Sequence, residues 1–213
     1  KANVTYLHNK LTNLGNDTGY IDIDGFGGIS GGGTRGSNGQ PFPYFFGYKT
    51  NGIFQTTDDV NAYKNADGGL IQPKAMPGDV RFVDVNGDGQ ITPDDRTNIG
   101  NGTPSWTFGF NLNAEWKGFD FNLFLQGVTG NDVFDATYRT DVYSGNFPSW
   151  MLGRWTGPYT SNKYPILKSG DATNWMVSDL YICDGSYMRV KNISLGYTLP
   201  QNLSHIFFVD RLR

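Results

Sequence analysis

The chain of 213 residues has a net charge of −3, 17% charged and 15% aromatic residues, 29 glycines and one cysteine. This composition allows one or two domains and excludes an internal disulfide, because Cys183 stands alone. It offers no basic cluster for nucleic acid and no apolar run of the roughly twenty residues that a membrane-spanning helix needs.

Low charge, many aromatics and few helix formers fit β-structure with large loops. They fit a transmembrane β-barrel equally well, because its strands alternate only weakly over about ten residues. Residues 3–14 are a modest strand candidate, with Val4, Tyr6 and Leu7 on the apolar side. Residues 15–52, dominated by Gly, Asn, Ser and Thr, read as loop, interrupted by an aromatic patch at Tyr44, Phe45, Phe46 and Tyr48. A short helix is expected over 58–66.

Residues 84–95 match a calcium-loop pattern. Oxygen donors fall at loop positions one, three and five (Asp84, Asn86, Asp88), with Gly89 at the sharp turn. Gln90 offers its backbone carbonyl, Thr92 acts directly or through water, and Asp95 closes the loop. Ca²⁺ takes about six to eight oxygens, and odd-numbered spacing wraps them around one centre. The closing Asp is shorter than the commoner Glu. The competing reading is a polar Asn-Gly/Asp-Gly turn. The flanks are strand-like before and Gly- and Pro-rich after, so a helix–loop–helix pair is not expected. A single structural site would stiffen a long connection.

The strongest strand runs from 106 to 116. Trp106, Phe108, Phe110, Leu112, Ala114 and Trp116 share one face, while Thr107, Gly109, Asn111, Asn113 and Glu115 share the other. After a Lys117-Gly118 turn, Phe119, Phe121, Leu123 and Leu125 repeat the alternation over 119–127. A last strand is expected over 187–199, with a phase flip near Lys191-Asn192 that implies a β-bulge. The connections 15–105 and 128–186 are unusually long for a compact soluble domain. Tight turns on one side and long loops on the other suit an outer-membrane barrel. A soluble β-sandwich with its apolar faces packed together is the alternative that the pattern leaves open.

Several phrases carry a resemblance. They are Phe46-Gly47-Tyr48-Lys49-Thr50-Asn51-Gly52-Ile53, Pro77-Gly78-Asp79-Val80-Arg81-Phe82-Val83-Asp84-Val85-Asn86-Gly87-Asp88-Gly89, Phe108-Gly109-Phe110-Asn111-Leu112 and Asp184-Gly185-Ser186-Tyr187-Met188-Arg189-Val190. In order and spacing they resemble the C-terminal third of the SusC/RagA family of TonB-linked outer-membrane transporters. The resemblance implies an all-β fold: antiparallel strands of a partial transmembrane β-barrel with two long extracellular loops, 15–105 and 128–186. It also implies an outer-membrane location, contact with outer-membrane lipid, and periplasmic turns near 117–118 and 200–210. Family members are several times longer, with a plug and about twenty-two strands, so the chain reads as a fragment.

The function that the resemblance implies is TonB-dependent import of oligosaccharides or peptides, with a SusD-like lipoprotein as partner and TonB acting through the plug. Tyr44, Phe45, Tyr138, Tyr143, Trp150, Trp155 and Tyr159 are candidates for stacking on sugar rings. No enzyme is expected. His8 and His205 lie beside no nucleophile motif, and the pairs Asp58/Asp59 and Asp94/Asp95 read as solvated or structural carboxylates. A calcium-stabilised extracellular carbohydrate-binding β module without transport is the rival reading.

Overall fold

The computed structural model describes residues 1–23, 25, 32–137, 147–168, 171, 173–200, 206 and 213. Among these, the strands are β1 (Ala2–Tyr6), β2 (Tyr20–Ile23), β3 (Gly33–Ser37), β4 (Tyr44–Gly47), β5 (Thr50–Ile53) and β6 (Val80–Phe82), with one short helix, α1 (Thr57–Ala62), between β5 and β6. They continue as β7 (Thr97–Gly100), β8 (Trp106–Trp116), β9 (Phe119–Thr129), β10 (Asp132–Phe134), β11 (Ile182–Asp184) and β12 (Tyr187–Tyr197). The chain divides into two units: Lys1–His8, Thr103–Asn131 and Asp184–Arg213 form one, and Asn9–Gly102 with Asp132–Cys183 form the other.

The first unit is a single antiparallel sheet in the order β1-β8-β9-β12. Its register aligns like with like. Leu112 opposes Leu123, Ala114 opposes Phe121, and Trp116 opposes Phe119. On the next strand Leu123 opposes Ile193, Phe121 opposes Leu195, and Phe119 opposes Tyr197. Because side chains alternate with period two, this register gathers most of the apolar residues of the four strands on one face, leaving Phe124 and Val128 on the other. The hairpin turns through Lys117 (φ 46°) and Gly118 (φ 87°), the doubly positive geometry that tight hairpins favour. A register shift between Val190 and Asn192 accounts for the phase flip in β12 and leaves Val190 and Ile193 on the same face.

Nothing in the described residues seals that apolar face. Leu195 is 73% exposed, Trp116 68%, Ile193 66% and Val4 66%. A β-sandwich would have buried these side chains against a second sheet, so the soluble-sandwich alternative is set aside. The opposite face carries a lateral asparagine ladder. Asn122 Nδ2 donates to Asn113 Oδ1, and Asn192 Nδ2 donates to Asn122 Oδ1 at 2.7 Å.

The second unit shows that the long connections expected over 15–105 and 128–186 carry structure of their own. It contains a sheet in the order β2-β3-β4-β7 and the pairs β5–β6 and β10–β11. It also has its own core. Tyr48, Ile53, Val80, Phe82 and Trp155 form one buried cluster, and Met151, Trp175, Val177 and Tyr181 form another. Glycines that suggested loop permit close approach instead. A Cβ on Gly47 would lie 2.5 Å from the Val177 carbonyl oxygen, where the Tyr48 N–H donates to that oxygen at 2.9 Å. Gly78 (φ +93°) sits against Trp155 and Ile166, where a Cβ would meet atoms at 2.7 and 2.8 Å.

Element ends differ as well. The strand expected over 3–14 stops at Tyr6. From Asn9 the chain joins the second unit: the Asn9 side chain donates to the Phe42 carbonyl at 3.1 Å and accepts the Phe42 N–H at 3.0 Å. The strand expected over 119–127 runs on to Thr129, and the one expected over 187–199 ends at Tyr197. Helix α1 starts one residue earlier than expected and ends at Ala62. Its start is fixed by a capping box, in which Thr56 Oγ1 accepts from the Asp59 N–H and Asp59 Oδ2 accepts from the Thr56 N–H. The expected turn near 200–210 falls mostly outside the described residues.

Candidate functional site

Residues 84–95 fold as a sequence of side-chain-to-backbone turns. Asp84 accepts N–H groups from Gly87 (2.7 Å) and Gly89 (2.8 Å). Asn86 Oδ1 accepts from the Asp88 N–H at 2.8 Å, and Asp88 Oδ1 accepts from the Gln90 N–H at 2.9 Å. Gly87 and Gly89 both take positive φ, which only glycine adopts without strain. Asp84, Asn86 and Asp88 are thus brought together, and the Asn86 amide also donates to Asp88 Oδ2 at 3.1 Å.

Asp95 behaves differently. It is fully buried, and one oxygen accepts from the Val85 and Asn86 N–H groups while the other accepts from Thr92. It laces the two ends of the loop together. Thr92 caps the short helical turn Pro93–Asp95, its Oγ1 accepting from the Asp94 N–H. Gln90 is exposed. Among the described residues, no three His, Cys, Asp or Glu side chains gather closely enough to hold a metal. The donor set therefore fits calcium in part: Asn86 and Asp88 are exposed beside a half-buried Asp84 on one turn, but Asp84 already accepts two backbone amides and the closing carboxylate accepts three.

Two tyrosines border this region. Burial raises the Tyr48 phenol above its ordinary value, with Asp95 and Asp94 adding to the shift and Arg96 opposing it. Burial also raises Tyr63, whose hydroxyl donates to the Phe82 carbonyl at 2.7 Å.

The aromatics read as stacking candidates separate by burial. Tyr44 is buried, its hydroxyl 2.6 Å from Ser37 Oγ. Trp155 is buried in the Tyr48 cluster. Phe45 packs near Phe134, with ring centroids 5.9 Å apart, and Trp150 lies 4.7 Å from Tyr164. Tyr138 and Tyr143 lie outside the described residues, as does His205. Tyr159 is 81% exposed.

Gln55, which no periodicity in the sequence singled out, holds the segment before Tyr159. Its amide nitrogen donates to the Ile53 and Ser161 carbonyls. Its oxygen accepts from Trp155 Nε1 at 3.3 Å and from the Tyr159 N–H at 2.6 Å. Asp79 was also missed as a structural residue. It is buried, pairs with Lys168, and accepts from Asn174 Nδ2 at 2.9 Å. These groups line a cleft of about 390 Å³ beside Gln72 and Lys74. The carboxylate pairs have structural work: Asp59 caps α1 and Asp95 laces the loop.

No family model matches the chain. A TonB-dependent receptor of Formosa agariphila is 30% identical over 195 residues, covering 90% of this chain and 19% of that receptor. A second receptor of the same organism is 32% identical over 166 residues, covering 77% of this chain and 16% of its own length. The TonB-dependent receptor SusC of Bacteroides thetaiotaomicron is 28% identical, covering 94% of this chain and 18% of that protein. The chain belongs to the SusC/RagA family of TonB-dependent receptors. It spans about a fifth of the length of the curated relatives it matches. The solved RagAB peptide importer in its open-open state superposes with a TM-score of 0.63 at 21% identity, over 95% of this chain and 20% of that one. This SusC/RagA segment accordingly has an all-β, antiparallel, partial-barrel fold, and its place is the outer membrane.

Proposed function

We propose that the protein takes part in TonB-dependent import of oligosaccharides or peptides across the outer membrane, with a SusD-like lipoprotein as its surface partner. The observation that carries this reading is the open apolar face of the β1-β8-β9-β12 sheet, the kind of surface that acyl chains cover and water does not. The polar face, with its asparagine ladder, would line the interior. Both long segments leave and re-enter the sheet at the end opposite the Lys117-Gly118 turn. That supports placing them outside the cell and the turn in the periplasm. Energy would come from TonB through a plug region. The relatives are receptors, which favours a non-enzymatic role.

The test is uptake of labelled oligosaccharides and peptides by energised cells that carry the protein. Uptake abolished by a protonophore is the expected result. Surface binding without uptake would instead support the calcium-stabilised carbohydrate-binding module, a reading favoured by the second unit's own core.

Calcium is part of the proposal. Asp84, Asn86 and Asp88 would supply side-chain oxygens, Gln90 its carbonyl, and Thr92 a water-mediated contact, with Asp95 holding the frame from beneath. Calcium at about one hundred times its dissociation constant would add roughly 2.7 kcal/mol. Asp84→Ala and Asp88→Ala should each remove the increase in melting temperature, and an unchanged melt of the unmodified protein in calcium would refute the site.

A further inference from the structure

Tyr159 occupies a position that neither local preference nor packing explains. Residues 157–160 form a tight turn closed by the Thr160 N–H donating to the Gly157 carbonyl at 3.2 Å. Pro158 takes the second place and Tyr159 the third, with φ +65°. A turn with Pro second and a positive φ third is the type that calls for Gly or Asn in the third place. A bulky side chain with positive φ is a true outlier.

The surroundings hold the outlier in place. The Tyr159 N–H is fixed by Gln55 Oε1 at 2.6 Å. Thr160 Oγ1 accepts from the Thr156 and Gly157 N–H groups and donates to the Gly157 carbonyl at 2.7 Å. Trp155, at the base of the segment, is anchored in the core. Yet the Tyr159 side chain is 81% exposed, so the fold gains little burial from it. Strain maintained by an over-determined frame, with no packing in return, is the signature of a functional position.

We propose that Tyr159 is a preset aromatic platform that stacks on the apolar C–H face of a neutral saccharide. Residues 155–162 contain no ionisable side chain other than the tyrosine, only Trp, Thr, Gly, Pro, Ser and Asn. The flanking cations are turned elsewhere, with Arg154 Nη1 donating to the Met151 carbonyl at 3.3 Å and Lys163 Nζ 5.2 Å from the Tyr164 ring centre, so the stretch suits an uncharged polyhydroxyl ligand better than a charged one. The rigid turn fixes the backbone that carries the ring, so less entropy is lost on binding than from a mobile loop. This inference rests on the saccharide branch of the import reading above.

The experiment compares the unmodified protein with Tyr159→Gly, Tyr159→Asn and Tyr159→Phe in detergent micelles. Each is titrated calorimetrically with neutral linear hexasaccharides of glucose, mannose and xylose, and each is melted. At least one saccharide should bind the unmodified protein and the Phe variant alike. The Gly and Asn variants should bind it about tenfold more weakly while melting at the same or a higher temperature, because the strain is relieved. Equal binding by the Gly variant would overturn the platform and leave the import reading standing. A lower melting temperature of the Gly and Asn variants would show that Tyr159 serves the fold, and would overturn it too. If no saccharide binds the unmodified protein, the saccharide branch itself fails, and the platform with it.

Discussion

The two units of this chain solve the same problem in opposite ways. The sheet β1-β8-β9-β12 leaves its apolar face open, with Ile193, Leu195 and Trp116 all more than half exposed. The other unit hides Phe54, Phe82, Val80 and Val177 almost completely. Aromatic content does not separate them, since both are rich in aromatic residues. The difference lies in where the burial comes from. A strand facing hydrocarbon needs only alternation and a partner for each backbone group. A segment in water must build its own core from residues far apart in sequence.

The largest expected effect is Phe82→Ala, which should destabilise the second unit by about 3–5 kcal/mol. Hydrogen exchange in the membrane-embedded protein would show amides across 9–102 and 132–183 losing protection while those of β8 and β9 keep theirs. Equal loss in both regions would merge the two units. Next, Leu112→Arg should cost the sheet about 2–4 kcal/mol in a bilayer, as arginine does near the midplane of a barrel's lipid face. Its neighbour Asn113→Arg, on the polar face, should cost about 1 kcal/mol or less through the lost Asn122 bond. Folding titrations in lipid vesicles read both, and similar losses for the pair would contradict the assignment of faces.

Asp95→Ala should destabilise by about 1–3 kcal/mol by orphaning the amides of Val85, Asn86 and Thr92. The exposed neighbour Asp94→Ala should change little. The Asp95 loss should be present without calcium, and a loss seen only with calcium would make Asp95 a ligand and not a lace.

The smallest effect is confined to alkaline pH. The Tyr63 phenol is held above its ordinary value of about 10 by burial, so the folded state keeps its proton longer than the unfolded chain does. That contribution is fully present below pH 10 and is lost as pH rises through the raised value. Tyr63→Phe should flatten this part of the stability profile, measured by denaturant unfolding between neutral and alkaline pH. An unaltered profile would remove Tyr63 as its source.

The alternation from Trp106 to Trp116 was legible because every residue reports its face through a period of two, and the bulge in β12 was legible as a break in that period. The turn at Lys117-Gly118 and the Asp84–Asp88 spacing were legible for the same reason: each depends only on near neighbours. The core of the second unit was not legible. Its contacts join Tyr48 to Val177, Val80 to Asn174 and Gln55 to Tyr159 across about a hundred residues or more. The same glycines that read as loop serve there as points of close approach. Nor could spacing reveal that Asp95 would turn its carboxylate inward to three amides. The sequence by itself determined the sheet, its faces and its tight turn, because period and local dihedral preference act over a few residues. Only the tertiary structure decided which glycines were packed, which carboxylate was spent on the backbone, and which tyrosine was left standing in solvent, because those outcomes depend on what distant segments bring alongside.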